Sequence, residues 1–201
     1  MSENQIVPFS EVTKFHGHAC PGSALGYRVA EVAMNKFNAT KDEDEELIVI
    51  IENDSCAVDA IQVVTGCTFG KGNLIFKDYG KHVYTFFNRN TGENIRIYAK
   101  ANFDELVPEF AKFRNQVFND SVTAEDKLAF EEYKSLLIEK VLTCPVDDLF
   151  DFSDAEMELP EKAHIYNSVE CENCGELVSE HRIVDNNGKI LCISCFEKLS
   201  D

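Results

Sequence analysis

The sequence predicts an α+β domain followed by a small zinc finger, and three observations support this prediction. Helical and β-strand patterns alternate through most of the chain. Two Cys-x-x-Cys pairs lie near its C-terminal end, and an acidic stretch at 147–167 precedes them. We therefore predict a domain over residues 1–146, a linker over 147–167 and a finger over 168–201.

The first half of the domain alternates between helices and a strand. Apolar residues recur at helical spacing over 22–37, and a continuous aliphatic run at 47–51 is typical of a buried strand. A second helix is predicted over 56–65, because Gly66 follows it as a helix end, and a glycine-rich loop fills 67–73.

The second half contains a hairpin and two helices. Three strands are predicted at 74–77, 82–88 and 95–99, with Asn90-Thr91-Gly92 turning the last two into a hairpin. Helices follow at 103–118 and 123–142, and Thr123 with Asp126 resembles a capping box. The linker is predicted to hold at most one short strand, at 163–166.

The finger is predicted from cysteine spacing. Cys171 and Cys174 form the first pair, and seventeen residues separate them from Cys192 and Cys195. Four thiolates at this spacing are typical of a tetrahedral Zn²⁺ site. The order of knuckle, hairpin turn at Asn186-Asn187-Gly188, and helix at 193–199 is that of a treble clef. So small a unit depends on the metal for its stability.

Composition narrows the setting and the partners. The net charge is −17, and the finger segment carries three basic and seven acidic residues. Direct nucleic-acid binding is therefore not expected, because the phosphate backbone requires Lys and Arg. The N-terminus lacks the features of a signal peptide, and no apolar run is long enough for a membrane span. Eight cysteines without a signal peptide indicate a reducing compartment with thiols available for metal, so we predict a cytoplasmic protein. Because the finger is acidic, we expect its partner to be a protein.

A second metal site is predicted near the start of the domain. His16, His18 and Cys20 concentrate three potential ligands in five residues, and Cys20 precedes a predicted helix, where a thiolate is favoured. Cys56 opens the helix after the buried strand, and Asp59 lies one turn further along the same helix. Ligands collect at such strand ends, so we predict that these residues meet.

The glycine-rich loop supplies one cation. Residues 65–73 follow the pattern Gly-x3-Gly-Lys-Gly, which is not the spacing of a phosphate-binding P-loop. Lys71 is a candidate to bind an anionic substrate, and a tight structural turn is the equal alternative. The candidate catalytic residues are His16, Asp59 and Lys71.

Three segments together resemble the FmdE family, whose name derives from formylmethanofuran dehydrogenase. They are His16–Gly22, Cys56–Gln62 and Thr65–Leu74. The resemblance implies a mixed β-sheet flanked by helices, described as a thioredoxin-like core, with a C-terminal treble clef. It also implies a metal site with ligands among His18, Cys56, His16 and Cys20, holding Zn²⁺ or another divalent transition metal.

Four functions remain open at this point. The resemblance implies an accessory protein of a molybdenum or tungsten oxidoreductase, distinct from the catalytic subunits of formylmethanofuran dehydrogenase. A transcription regulator or docking adaptor is the second, because the finger also resembles those of DksA/TraR proteins. A zinc-dependent enzyme is the third. Thiol redox chemistry is the fourth, although Ser23 stands where a resolving cysteine would follow Cys20. A homodimer is also an open alternative.

Overall fold

The computed structural model describes residues 6–117 and 123–199, and the chain divides into two compact units. The first unit extends to Lys162 and the second begins at Ala163. The N-terminal residues on which the absence of a signal peptide was predicted lie outside the described residues. Among the helices that the structure describes, none is both long and apolar enough to cross a membrane.

A five-stranded mixed sheet forms the first unit, which confirms the predicted fold class. The strand order is β2-β1-β3-β4-β5; β1 and β2 are parallel, and the other neighbours are antiparallel. The strands are β1 (Leu47–Ile51), β2 (Leu74–Phe76), β3 (Val83–Asn88), β4 (Asn94–Ala99) and β5 (Phe150–Ser153).

Seven helices accompany the sheet in the described part of this unit. They are α1 (Phe9–His16), α2 (Pro21–Phe37), α3 (Ala57–Thr65), α4 (Phe103–Leu106), α5 (Pro108–Val117), α6 (Ala124–Thr143) and α7 (Val146–Leu149). The helix predicted over 103–118 is divided in two, because Val107 precedes a proline and takes a non-helical conformation. Its predicted last residue lies outside the described residues.

The prediction of a linker is wrong for residues 147–153. Residues there form most of α7 and all of β5, which pairs with β4. The physical reason is that Leu149 and Phe150 are buried and join the main core in spite of the acidic residues around them. The strand predicted at 163–166 is also wrong, since the next strand begins at Ser168.

The core lies mainly on one face of the sheet. Val49, Ile51 and Tyr84 face the buried sides of α2 and α3 within one apolar cluster. On the opposite face, Ile48, Ile50 and Phe87 form a smaller cluster. Ala155 and Met157 pack against this second cluster, so the chain after β5 covers the face that the helices leave open.

The second unit has the predicted order of a treble clef. Its elements are β6 (Ser168–Glu170), β7 (Leu177–Ser179), a 3₁₀ turn (Glu180–Arg182), β8 (Ile183–Asn186), β9 (Lys189–Cys192) and α8 (Ile193–Glu197). Asn187 and Gly188 both have positive φ, at 56° and 84°, as a type I′ hairpin turn requires. The first cysteine pair lies between β6 and β7, and the second lies where β9 meets α8.

Candidate metal centres

Three helix ends bring the N-terminal cluster together. His16 is the last residue of α1, Cys20 is the N-cap of α2, and Cys56 is the N-cap of α3. One ligand atom from each lies within 4.8 Å of the other two. The helices can approach so closely because Gly26 of α2 contacts α3, and a Cβ there would lie 2.2 Å from the Ala57 carbonyl oxygen.

His16 is oriented by a carboxylate. Its Nδ1 lies 2.6 Å from Oδ2 of Asp59, and its Nε2 lies 3.7 Å from Sγ of Cys20. The hydrogen bond to Asp59 is the chief reason that the pKa of His16 is raised. A histidine whose second nitrogen binds a carboxylate is the common arrangement of metal-ligating imidazoles, because the carboxylate fixes the ring and makes the free nitrogen a better ligand.

The two thiols differ in their environments. Burial would raise the pKa of Cys20, but hydrogen bonds with Ser23, Cys56 and His16 outweigh it, and the pKa is lowered. The Ser23 amide donates to Cys20 Sγ over 3.3 Å. Burial raises the pKa of Cys56, and the negative charge of Cys20 adds to this effect. A divalent cation favours the thiolate of both, since the thiolate is the metal-binding form.

His18 lies beside this cluster, not within it. Its exposed ring is tilted against that of His16, with centroids 4.5 Å apart. The prediction that His16 and His18 project to one side assumed an extended segment. The segment instead contains a helix end, and Gly17 has a left-handed φ of 89° that turns the chain. Helix α1 was not predicted, because only Val12 among its residues is fully buried and its periodicity is short.

Lys71 has a structural partner. Its Nζ lies 2.8 Å from Oδ2 of Asp42, whose side chain is completely buried. The same side chain accepts hydrogen bonds from the side chain of Asn73 and the backbone of Leu47. Burial would raise the pKa of Asp42, but Lys71 and the backbone amide of Leu47 hold it below its usual range. Lys71 therefore secures the glycine-rich loop and does not line the cleft beside the thiols.

An open cleft of about 370 Å³ adjoins the N-terminal cluster. It lies at the carboxyl ends of β1 and β2, where ligands of such sheets collect. Polar lining comes from His16, Cys56, Asp59, Asp54, Ser55 and Gln62, and apolar lining from Ile51, Val58, Leu74, Phe69 and Phe76. Phe69 and Phe76 were not among the predicted site residues, because the sequence marks them only by a place in a loop and at a strand end.

The finger brings all four of its predicted ligands together. One sulfur from each of Cys171, Cys174, Cys192 and Cys195 lies within 4.8 Å of the others. All but Cys174 are buried. The Cys192 amide donates to Cys171 Sγ over 3.2 Å, and this contact is the chief reason that the pKa of Cys171 is lowered to about 6. Four sulfur ligands gathered in this way, two of which accept backbone amides, fit Zn²⁺.

Comparisons with known proteins agree with both units. The family model described as "FmdE, Molybdenum formylmethanofuran dehydrogenase operon" matches residues 15–151. The prokaryotic dksA/traR C4-type zinc finger matches residues 164–200. A tungsten formylmethanofuran dehydrogenase FmdE-like protein from Syntrophus aciditrophicus has a similar crystal structure. Its TM-score is 0.58 at 25% identity, and the match covers 98% of each chain.

A relative in Archaeoglobus fulgidus is 32% identical over 191 residues. It is named probable S-adenosyl-L-methionine-binding protein. The match covers 90% of this chain and 50% of the relative, so the chain spans half the length of that protein. The FmdE match alone includes more than half of the residues and all three residues of the N-terminal cluster. The chain therefore belongs to the FmdE family, and it carries a C4-type zinc finger after the family domain.

Proposed function

We propose that this protein is a metal-binding accessory protein that serves formylmethanofuran dehydrogenase or another molybdenum or tungsten oxidoreductase. The observation that supports the proposal is the His16, Cys20 and Cys56 cluster, whose ligand atoms all lie within 4.8 Å of one another. The residues fit a soft divalent cation such as Zn²⁺, because imidazole and thiolate are its usual protein ligands.

The number of protein ligands favours a site that exchanges metal or binds substrate over a structural zinc site. Structural zinc sites use four protein ligands, whereas sites that exchange metal or bind substrate use three and leave a position for water or a ligand. This cluster has three and borders an open cleft. When bound, the metal supplies Lewis acidity there. The chain's own contribution is to hold His16 through Asp59 and to keep Cys20 poised through Ser23.

The names of similar proteins support the oxidoreductase connection. The family model is named for a molybdenum formylmethanofuran dehydrogenase operon, and the similar crystal structure is of a protein named for the tungsten enzyme. The name of the Archaeoglobus relative points to a small-molecule ligand rather than to an oxidoreductase. The cleft beside the N-terminal cluster could hold such a ligand. If the cleft binds a substrate, the alternative function is a zinc-dependent enzyme in which Asp59 acts as the general base.

A docking or regulatory role through the finger is the second candidate. Leu177 is 73% exposed and Leu199 is 62% exposed, which leaves apolar surface on a unit stabilised by metal. The finger's acidic charge and its match to the dksA/traR type favour a protein partner over nucleic acid.

Metal content tests the site. Elemental analysis should find two metal ions per chain in the wild type, one for each cluster, and one in a Cys20→Ser/Cys56→Ser variant. Cys144→Ser is the matched control, because this half-buried thiol lies outside both clusters and should leave two. One metal ion in both the wild type and the double variant would overturn the N-terminal site.

Direct binding measurements test the partner. Immobilised protein is exposed to purified formylmethanofuran dehydrogenase and, separately, to RNA polymerase. Binding of the dehydrogenase that the Cys20→Ser/Cys56→Ser variant loses supports the accessory role. Binding of the polymerase alone, lost when Leu177→Ser and Leu199→Ser are combined, would replace it with the regulatory role.

A further inference from the structure

The cleft beside the N-terminal cluster has one polar end and one apolar wall. His16, Cys56 and Asp59 form the polar end. Ile51 and Leu74, which are buried in the sheet, continue into the wall, and Phe69 and Phe76 extend it outwards. We propose that this cleft binds a small molecule without net negative charge that has an apolar, preferably flat body and a single donor atom for the metal. The proposal rests on the metal site proposed above and adds the class of its ligand.

The two phenylalanine side chains of the apolar wall are exposed to solvent. Phe76 is 42% exposed and Phe69 is 76% exposed, although both line the same cleft. An apolar body that covered them would release water from both rings and gain the corresponding transfer free energy. The volume of about 370 Å³ is near the lower end for ligand pockets, so the molecule is small.

The charge of the cleft disfavours an anion. Among the described residues that line it, none is Lys or Arg, whereas Asp54 and Asp59 both contribute carboxylates. The nearby cation of the glycine-rich loop, Lys71, is held by the buried carboxylate of Asp42. The thiolates of Cys20 and Cys56 cancel the charge of a divalent cation, so an anionic ligand would add negative charge to a site with no surplus positive charge.

The loop that carries Phe69 is connected to α3. The Phe69 amide lies 3.5 Å from the side-chain oxygen of Gln62, which itself lines the cleft. The base of the loop is held by Lys71 and Asn73 on Asp42. These contacts hold the loop at Phe69 and at its C-terminal end, while the Phe69 side chain stays exposed and available to an apolar body.

Three imidazole probes test the proposal. Protein with Zn²⁺ in the finger and Co²⁺ at the N-terminal cluster is titrated with imidazole, 1-benzylimidazole and imidazole-4-acetate, and the visible absorption of cobalt reports binding. We expect 1-benzylimidazole to bind at least about tenfold more tightly than imidazole, because the benzyl group reaches the apolar wall. Imidazole-4-acetate should bind more weakly than imidazole.

Matched aromatic variants assign the effect to the wall. Phe76→Ala should bring the ratio of 1-benzylimidazole to imidazole affinity towards one. Phe152→Ala is the control, since Phe152 is similarly exposed, at 40%, but lies on β5 at the opposite edge of the sheet. It should leave the ratio unchanged.

The outcomes separate the two proposals. If no cobalt spectrum arises from the N-terminal cluster, the metal site itself is refuted, and the ligand class with it. If imidazole perturbs the cobalt spectrum but the benzyl group adds no affinity, the metal site stands and the apolar cleft is refuted. Tighter binding of imidazole-4-acetate than of imidazole would overturn the charge argument.

Discussion

The two cysteine clusters of this chain differ in ligand number and in burial. The finger holds four thiols, three of them buried, between two hairpins and a short helix. The N-terminal cluster holds one imidazole and two thiols where three helix ends meet, and Cys56 is exposed to a cleft. In metalloproteins a closed set of four ligands stabilises a fold, whereas an open set of three leaves a coordination position for exchange.

The surroundings of each cluster differ in the same direction. Around the finger cysteines the buried apolar set is Leu191 with Val178 and Phe196 packed against it, too little to hold a unit of this size. The N-terminal cluster lies on a domain with a large apolar core of its own. Metal removal should therefore unfold the finger and leave the first unit folded.

The strongest test of this contrast is Cys171→Ser. Binding of structural zinc supplies about 10–16 kcal/mol in small fingers, so loss of one ligand should unfold the second unit. Hydrogen exchange should show lost protection over 168–199 with the first unit unchanged. Cys144→Ser is the control and should keep protection in both units. Retained protection in the Cys171→Ser finger would show that its core suffices without metal.

The next largest effect is expected from Gly26→Ala, which should destabilise the first unit and disturb the N-terminal cluster. The added Cβ would meet the Ala57 carbonyl oxygen at 2.2 Å and push α2 from α3, at a cost of about 1–3 kcal/mol. Urea unfolding followed by circular dichroism measures the loss, and elemental analysis should show that the N-terminal metal is lost while the finger metal stays. Gly70→Ala is the matched control, because no described atom beyond its chain neighbours lies within 4 Å of its added Cβ. Equal stability of the two variants would contradict the close approach of these helices.

Asp59→Asn should weaken the N-terminal metal without displacing a ligand. Loss of the carboxylate that orients His16 should lower metal affinity about 10–100-fold, as for other such partners. Competition with a chelating dye measures the affinity. Asp54→Asn removes the other carboxylate of the cleft, which is exposed, and should have a smaller effect. An equal loss in both variants would mean that general charge, rather than the contact with His16, supports the metal.

The smallest expected effect is oxidative and is confined to the N-terminal cluster. In metal-free protein, glutathione disulfide should oxidise Cys20 and Cys56 to a disulfide, because their sulfurs lie within 4.8 Å of each other. The glutathione disulfide is reduced to two molecules of glutathione in the same reaction. Bound Zn²⁺ should suppress the reaction by occupying both thiolates. Peptide mapping after thiol blocking identifies the bond. Cys67 is the internal control, because burial raises its pKa to about 12 and keeps it unreactive. A link between Cys20 and any other cysteine would contradict the cluster geometry.

Local patterns in the sequence predict most of the secondary structure. The strand at 47–51 and the hairpin around Asn90-Thr91-Gly92 follow from residues within a few positions of one another. The predictions failed where distant contacts decide: Leu149 and Phe150 enter the core from an acidic stretch, and α1 is too short and polar for its period to be detected. Burial overrides local composition at Leu149 and Phe150.

The finger's ligand set was determined by the sequence itself, because each pair is local and a single hairpin lies between them. The N-terminal site was not, because its ligands come from the ends of three helices that only packing brings together. Tertiary structure decided that His16 joins Cys20 and Cys56 while His18 lies beside them, and that Lys71 forms an ion pair with the buried Asp42. Sequence spacing reports which residues are neighbours along the chain, whereas helix packing and buried charge pairs determine which side chains share a site.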